Sequence, residues 1–217
     1  MTQQVLKGLF LIALILAGCA TSGNDSPAEG CGGLESKVSC LQITSVAPAS
    51  GSTNVDAHQD SCVNSTTNPP TVTSEAALTD DNTVITFTNS QFPTASSGFD
   101  IRILGVSVSY SLNQCPALAR GCPPLPGFTE STPTTIVPLG ATAELTVPLV
   151  PLRIKQAYAT AGGELFSASL PSYTATYVFT AQTVSFNEAI TVTATTTFTI
   201  GDFLTNGFTC APPGVIQ

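Results

Sequence analysis

The chain has 217 residues, of which 42% are hydrophobic and only 9% are charged, and its formal net charge at pH 7 is −8. This length is enough for one domain with a substantial core. An acidic chain with few basic residues repels phosphate backbones, so we exclude nucleic acid as a partner. Because charged residues make up about 25% of a typical soluble protein, solubility must depend here on threonine, serine and asparagine.

An apolar run near the start of the chain begins at Val5 and contains a single basic residue, Lys7. It is too short to span a bilayer, which takes about 20 apolar residues, so it predicts a signal peptide over residues 1–18. The run ends in Leu16-Ala17-Gly18-Cys19, which matches the four-residue lipobox of bacterial lipoproteins in type and order. The leader therefore resembles that family of signal sequences. The alternative is an ordinary signal peptide with a chance cysteine.

The resemblance implies cleavage before Cys19, a diacylglycerol group on its sulfur and an N-acyl chain such as palmitate on the new terminus. Ala20 follows, where aspartate would imply retention at the inner membrane. By the same resemblance, the expected location is the outer membrane of the bacterial cell envelope. One acyl chain binds a membrane only marginally, at about 0.8 kcal/mol per buried CH₂ group, whereas two or three make the attachment effectively permanent.

Residues 19–36 are rich in serine, glycine, asparagine, proline and glutamate and predict a lipidated flexible tether. About seventeen residues of this composition span ~23 Å root-mean-square. The tether would therefore hold the remaining residues, 37–217, clear of the lipid headgroups as one folded domain.

Short β-type runs separated by turn residues fill this domain, which is the pattern of an antiparallel sandwich or barrel. The predicted strands are Lys37–Val46, Thr83–Asn89, Phe99–Leu112, Ala141–Val150 and a continuation over Leu152–Tyr158. Gly105 interrupts the alternation of the third run and predicts a bulge or bend. Pro148 predicts that the fourth run lies at a sheet edge or ends there. No periodic run outside the leader predicts a helix.

The strongest pattern predicts a hairpin of Tyr173–Ala181 and Ala189–Ile200 across a polar turn. In the second strand, apolar residues (Ile190, Val192, Ala194, Phe198 and Ile200) alternate with threonines (Thr191, Thr193, Thr195, Thr197 and Thr199). Strict alternation predicts a strand with one buried face. The expected fold is all-β: a single antiparallel β-sandwich of about seven to nine strands, stapled by disulfides. The stretch Pro48–Val55 also resembles the first turn of bacterial immunoglobulin-like surface domains, so the sandwich is expected to be immunoglobulin-like in broad architecture.

Six cysteines remain after Cys19 is set aside: Cys31, Cys40, Cys62, Cys115, Cys122 and Cys210. An even set in an exported protein predicts three disulfides, whose connectivity the sequence leaves open. Cys115 and Cys122 would close a short ring, and Cys31 is one candidate partner for Cys40. A metal cluster is the competing interpretation. It is disfavoured because the chain has no Cys-x-x-Cys pair and only one histidine.

Asp56, His58 and Asp60 alternate, so an extended backbone would place them on one face, where they could hold a cation. We favour the simpler interpretation that these side chains cap backbone amides of a polar loop. Asp80-Asp81-Asn82 lacks the glycine and the distal glutamate of a calcium loop, and we expect a hairpin turn there. We therefore predict no metal and no cofactor other than the lipid on Cys19.

Hydrolytic catalysis requires a nucleophile, a base and an orienting acid. The chain offers one imidazole and no Gly-x-Ser-x-Gly elbow, and it has no tryptophan and four tyrosines as carbohydrate platforms. We therefore expect a non-enzymatic envelope lipoprotein that presents a rigid β domain for structural or protein–protein contacts. The alternative from another class is a small-ligand or cation-binding lipoprotein that uses the segment from Asp56 to Asp60.

A long connection over Asn113–Pro133 is the expected contact point for an envelope protein partner, because long ordered loops tend to be functional. Its candidate contact residues are Leu118, Arg120, Leu125 and Phe128. The competing interpretation, which we favour, is that the loop folds back and plugs one end of the sandwich.

Overall fold

The computed structural model describes residues 39–59, 61–64, 71–74, 77–92, 95–117, 119–165, 169–203 and 215–216. The elements in chain order are β1 (Ser39–Pro48), β2 (Asn54–Asp56), β3 (Ser61–Asn64), β4 (Thr71–Ser74), β5 (Asp81–Gln91), β6 (Ile101–Gln114), β7 (Phe128–Val137), β8 (Thr142–Val150), α1 (Leu152–Thr160), β9 (Ser172–Thr183), β10 (Ala189–Gly201) and β11 (Val215–Ile216). None of the helices in this part of the chain has the length and apolar character needed to cross a bilayer.

Two sheets form the body of the domain. One has three strands in the order β1-β5-β8, and the other has five in the order β2-β10-β9-β6-β7. All pairs in them are antiparallel except β2 with β10, which is parallel. A small third sheet has the order β11-β3-β4. The predicted all-β sandwich is confirmed, and the eight strands of the two larger sheets agree with the predicted seven to nine.

The strand order is that of an immunoglobulin-type sandwich whose first strand is divided between the two sheets. Strand β1 pairs with β5 as far as Pro48, and the chain then crosses to the other sheet, where Asn54 lies opposite Thr199. The crossing uses the turn at Gly51, whose φ of 74° suits glycine because other residues are strained there. Pro48–Val55, the stretch that resembles bacterial immunoglobulin-like domains, forms this crossing.

Period-two alternation builds the core between the sheets. In β10 the inward residues Ile190, Val192, Ala194, Phe198 and Ile200 are buried, as predicted, and Thr196 is buried with them. Across the core, Phe87 and Phe179 meet edge to face with ring centroids 4.9 Å apart. Such a pair adds about 0.5–1.5 kcal/mol beyond its buried area. The predicted hairpin is β9 and β10, paired antiparallel.

The predicted bulge in β6 is confirmed, since the register with both neighbouring strands shifts between Ile103 and Gly105. A Cβ atom on Gly105 would lie 2.9 Å from the carbonyl oxygen of Glu130, so close backbone approach as well as the bulge requires glycine here. The edge position of β8, predicted from Pro148, is also confirmed.

Two predictions about elements are wrong. Leu152–Tyr158 is helical, not a strand, because its buried residues Ile154 and Tyr158 lie four positions apart on one helical face. The connection predicted over Asn113–Pro133 is shorter, since β6 continues to Gln114 and a further strand, β7, begins at Phe128. Strand β7 lacks apolar alternation and contains Pro133, as suits an edge strand.

The sandwich has two distinct ends. At the Ser39 end, β1 begins opposite Gln91, and the chain turns through the β5–β6, β7–β8 and β9–β10 connections. At the Gln114 end, β6 finishes opposite Ser172, and the β6–β7 connection and helix α1 are found there. The two ends differ in what covers the core.

Candidate functional site

The last residue of β2 and the segment that follows it contain the residues that we considered as a cation site. The carboxylate Oδ1 of Asp56 accepts hydrogen bonds from the backbone amides of His58 at 3.1 Å and Phe203 at 3.3 Å. The first of these is the Asx-type bond of the loop-capping interpretation. Asp60 lies outside the described residues. Asp56 thus closes a loop against the end of β10.

Asp202 is a neighbour of this segment that the sequence did not indicate. Its Oδ2 lies 3.8 Å from Nδ1 of His58, and its backbone amide donates to the carbonyl of Leu165. The parallel pairing of β2 with β10 brings the two residues together across 144 positions of sequence. Within the described ranges, no group of three histidine, cysteine, aspartate or glutamate side chains has the geometry to hold a metal ion.

The hairpin turn predicted at Asp80-Asp81-Asn82 is wrong, because Asp81 and Asn82 belong to β5 and pair with β8. Asp80 and Asp81 instead attach helix α1 to the sheet. Oδ1 of Asp80 accepts a 2.6 Å hydrogen bond from the amide of Leu152, the first helical residue. This carboxylate satisfies one of the amides that a helix N-terminus leaves without an internal partner. Asp81 is the first residue of β5, and its Oδ2 lies 2.7 Å from Nζ of the buried Lys155.

Burial determines the electrostatics of this junction. Loss of water raises the pKa of Asp81 above its usual 3.8, an effect that Lys155 opposes and the neighbouring Asp80 reinforces. The Lys155 side chain is 3% exposed and that of Asp81 is 27% exposed. The pair therefore fixes the position of the helix. Without Asp81, Lys155 would be a buried charge with no opposite charge beside it, which would destabilise the fold.

The β6–β7 connection covers the Gln114 end. Cys115 and Cys122 form the predicted disulfide, with an S–S distance of 2.03 Å, and Cys40 is disulfide-bonded as well. The Arg120 amide donates to the buried carboxylate of Glu164 at 2.7 Å, and the Glu164 amide donates to the carbonyl of Gly121 at 2.9 Å. The loop is thereby attached to the chain that follows α1.

Two of the four proposed contact residues in this loop are core residues. Leu125 and Phe128 are 7% and 9% exposed, and the carbonyl of Pro123 accepts a 2.8 Å hydrogen bond from the core phenol of Tyr173. Their assignment to a partner surface is thus corrected, because they fill the end of the sandwich. Arg120 is exposed, and Leu118 lies outside the described residues. The plug interpretation holds for this part of the loop.

The outer side of the five-stranded sheet carries rows of hydroxyl groups, which we call the hydroxyl face. Its central rows run across neighbouring strands: Thr191, Thr180, Gly105 and Ser131; Thr193, Val178, Ser107 and Thr129; and Thr195, Thr176 and Ser109. No charged side chain stands in these rows. Hydroxyl groups of adjacent strands interact, as between Thr129 and Ser107 at 3.4 Å, and such cross-strand pairs add about 0.2–1 kcal/mol each.

Sequence alternation predicted the threonines of β10 as a solvent face, and the structure places them there. It did not indicate that serines of β6 and threonines of β7 extend the same surface, because only strand order brings these residues together. Comparison with protein-family models, with curated proteins and with solved structures finds no match for this chain. The fold and the hydroxyl face define an immunoglobulin-type sandwich with one broad uncharged surface.

Proposed function

We propose that the chain is a non-enzymatic lipoprotein of the bacterial cell envelope, anchored in the outer membrane through lipid on Cys19. In this proposal its rigid β-sandwich makes structural or protein–protein contacts. The anchor is supported by Leu16-Ala17-Gly18-Cys19 and by the composition of residues 19–36. The absence of catalysis is supported by the single imidazole in the sequence.

The hydroxyl face is the observation that carries the contact function. The chain has a net charge of −8, so its charged surface repels other acidic proteins. The central rows of the hydroxyl face carry no charge and offer hydrogen-bond donors and acceptors. The sheet that carries them is held in place, because β9 and β6 are each paired with antiparallel strands on both sides. A partner can approach this face without the cost of like charges, and little ordering is needed on binding.

Lipidation is tested by processing of the full chain in a diderm bacterium. Replacing the acceptor by Cys19→Ser should leave uncleaved precursor, because lipid transfer precedes cleavage. Mass spectrometry of the wild-type protein should show a mature chain that begins at a triacylated Cys19. A mutant that still yields the same hydrophobic mature species would refute the lipoprotein assignment.

The contact surface is tested by photo-crosslinking in intact cells. A photoreactive amino acid at Thr191, which is exposed on the hydroxyl face, should capture a discrete envelope protein that mass spectrometry can identify. Thr146 is the matched control, because it is an exposed threonine on β8 of the other sheet. Equal crosslinking from both positions would mean that the hydroxyl face is not the contact surface.

A further inference from the structure

Exposed apolar side chains gather at the Ser39 end of the sandwich. Of the six most exposed large apolar side chains among the described residues, four lie at this end: Phe186 at 63%, Ile136 at 44%, Leu139 at 39% and Val184 at 38%. Leu104, at 42%, lies farther along β6. Phe99, from the β5–β6 connection, meets Phe186 edge to face with ring centroids 4.9 Å apart. Together the β5–β6, β7–β8 and β9–β10 connections form one apolar surface, which we call the apolar tip (Phe99, Leu139, Val184 and Phe186).

Hydrogen bonds between these connections hold the tip in place. The amide of Val184 donates to the carbonyl of Asp100 at 2.9 Å, and the amide of Leu139 donates to Oδ1 of Asp100, also at 2.9 Å. Asn89 is fully buried beneath them and donates to the carbonyls of Phe99 and Val137 at 2.9 Å each. The apolar side chains are therefore presented outward by an ordered backbone, and such a presented patch marks an interaction site.

The opposite end of the sandwich has no comparable surface among its described residues. There Leu125 of the β6–β7 connection and Phe128, the first residue of β7, cover the core. Leu112 of β6, at 44%, is the one large apolar side chain described at this end that is more than a third exposed. Among the described residues, a cluster of exposed apolar side chains is therefore found at the Ser39 end and not at the Gln114 end.

The predicted tether joins the domain at the tip. Ser39 is the first residue of β1, and its Oγ accepts a 2.6 Å hydrogen bond from the amide of Phe99 and donates to the carbonyl of the same residue at 2.9 Å. The chain that leads to Cys19 therefore enters beside Phe99. Strand β6 alone, with 14 residues, is about 46 Å long, about twice the ~23 Å that the tether spans on average. A lipid on Cys19 would keep the Ser39 end towards the bilayer.

We infer that the apolar tip inserts into the lipid surface next to the anchor. This inference rests on the proposed lipidation of Cys19. A short flexible tether gives an effective concentration of the order of mM, so weak partitioning of the tip is sufficient for contact. The expected surface is zwitterionic, because the net charge of −8 and the exposed Asp100 disfavour anionic headgroups.

The absence of tryptophan from the chain makes a single fluorescent probe possible. Phe186→Trp places the probe on the tip, and Leu112→Trp is the matched control, with 44% exposure at the opposite end. Leu139→Trp is a second tip probe should the first variant unfold. Each full-length lipidated protein is placed in phosphatidylcholine–phosphatidylethanolamine vesicles with or without bromine on the acyl chains, and mass spectrometry verifies the lipid on Cys19.

The tip probe should show blue-shifted emission and at least about twofold quenching by brominated chains, as for a side chain at the headgroup–acyl boundary, whereas the control should show neither. A lipidated protein whose tip probe is no better quenched than the control would overturn the inference and leave the anchor intact. A protein without lipid would overturn the anchor and the inference with it. A photo-crosslinker at Phe186 that captures protein instead of lipid would make the tip a protein-binding surface, contrary to the inference.

Discussion

The ammonium nitrogen of Lys155 lies 2.7 Å from Oδ2 of Asp81 and joins helix α1 to the first residue of β5. Breaking a buried pair from one side leaves a lone charge and typically costs about 3–5 kcal/mol. We expect Asp81→Asn to destabilise more than Lys155→Met, because the lysine left behind is 3% exposed whereas the aspartate left behind is 27% exposed. The double variant should recover much of the loss. Denaturant unfolding measures all three, and equal costs for the two single changes would contradict the burial argument.

The same pair makes the stability of the fold depend on pH. Burial raises the pKa of Asp81 above its usual 3.8, so the folded state binds the proton more tightly than the unfolded state. The contribution of Asp81 to stability is therefore fully present below pH 3.8 and decreases as pH rises through the raised pKa. Lys155→Met removes an opposing influence, so the Asp81 pKa should rise further. Carboxyl NMR titration measures it, and a lower pKa in the variant would be inconsistent with the pair.

Alkaline unfolding should report on the four tyrosines, because burial raises the pKa of each: Tyr110, Tyr158, Tyr173 and Tyr177. The pKa of Tyr173 rises to about 12, and the unfolded chain releases these protons near pH 10. Stability is therefore lost as pH increases above about 10, by about 1.4 kcal/mol per pH unit for each retained proton. Tyrosinate absorbance should appear together with loss of β-sheet circular dichroism. Ionisation of several tyrosines in the intact fold would disprove this.

The assignment of one side of β10 to the core and the other to solvent is tested at two neighbouring residues. Phe198 is 1% exposed and its ring lies 5.9 Å from those of Tyr110 and Tyr173, so Phe198→Ala should cost about 3–5 kcal/mol. Thr197 is exposed, and its hydroxyl lies 3.3 Å from that of Thr174, so Thr197→Ala should cost well under ~1 kcal/mol. Equal losses in urea unfolding would mean that the hydroxyl face is covered in the isolated protein.

The plug at the Gln114 end makes a similar contrast possible. Leu125→Ala removes a core side chain and should cost about 2–5 kcal/mol, which is a decrease of at least about 4 °C in Tm for a domain of this size. Arg120→Ala should leave Tm nearly unchanged, because the loop uses the backbone amide of Arg120 and its side chain is exposed. Thermal unfolding followed by circular dichroism measures the Tm of both variants. An unchanged Tm for Leu125→Ala would contradict the burial of this side chain in the core.

Strands with uninterrupted alternation could be predicted from the sequence, because the order of apolar and polar residues there indicates directly which side chains are buried. The β9–β10 hairpin is the example. The bulge at Gly105 and the edge position of β8 were predicted instead from single glycine and proline residues, which have their own backbone preferences. Helix α1 could not be predicted in the same way. Its nine residues bury Lys155 beside Ile154 and Tyr158, and the reason for burying a lysine lies with Asp81, 74 positions earlier.

Site prediction was limited by the same dependence on distant partners. Asp56 and His58 stand together in sequence, but Asp202 joins them only through the parallel β2–β10 pair. The hydroxyl face needs the order of β10, β9, β6 and β7 before its rows become visible. Composition indicated threonine-rich strands, and only topology could show that these strands are neighbours.

The pairing of β1 has a mechanical consequence for an anchored protein. Strand β1 enters the sandwich at Ser39 and is registered with β5 from Ser39 opposite Gln91 to Pro48 opposite Thr83. A pull on the domain away from the membrane would be transmitted through Ser39 along the strand axis. Because antiparallel hydrogen bonds lie perpendicular to the strands, such a force loads the whole ladder in shear at once and does not open it one bond at a time. In the proposed lipid-anchored state, attachment at Ser39 would therefore load β1 in shear, so that its hydrogen bonds with β5 resist extension together.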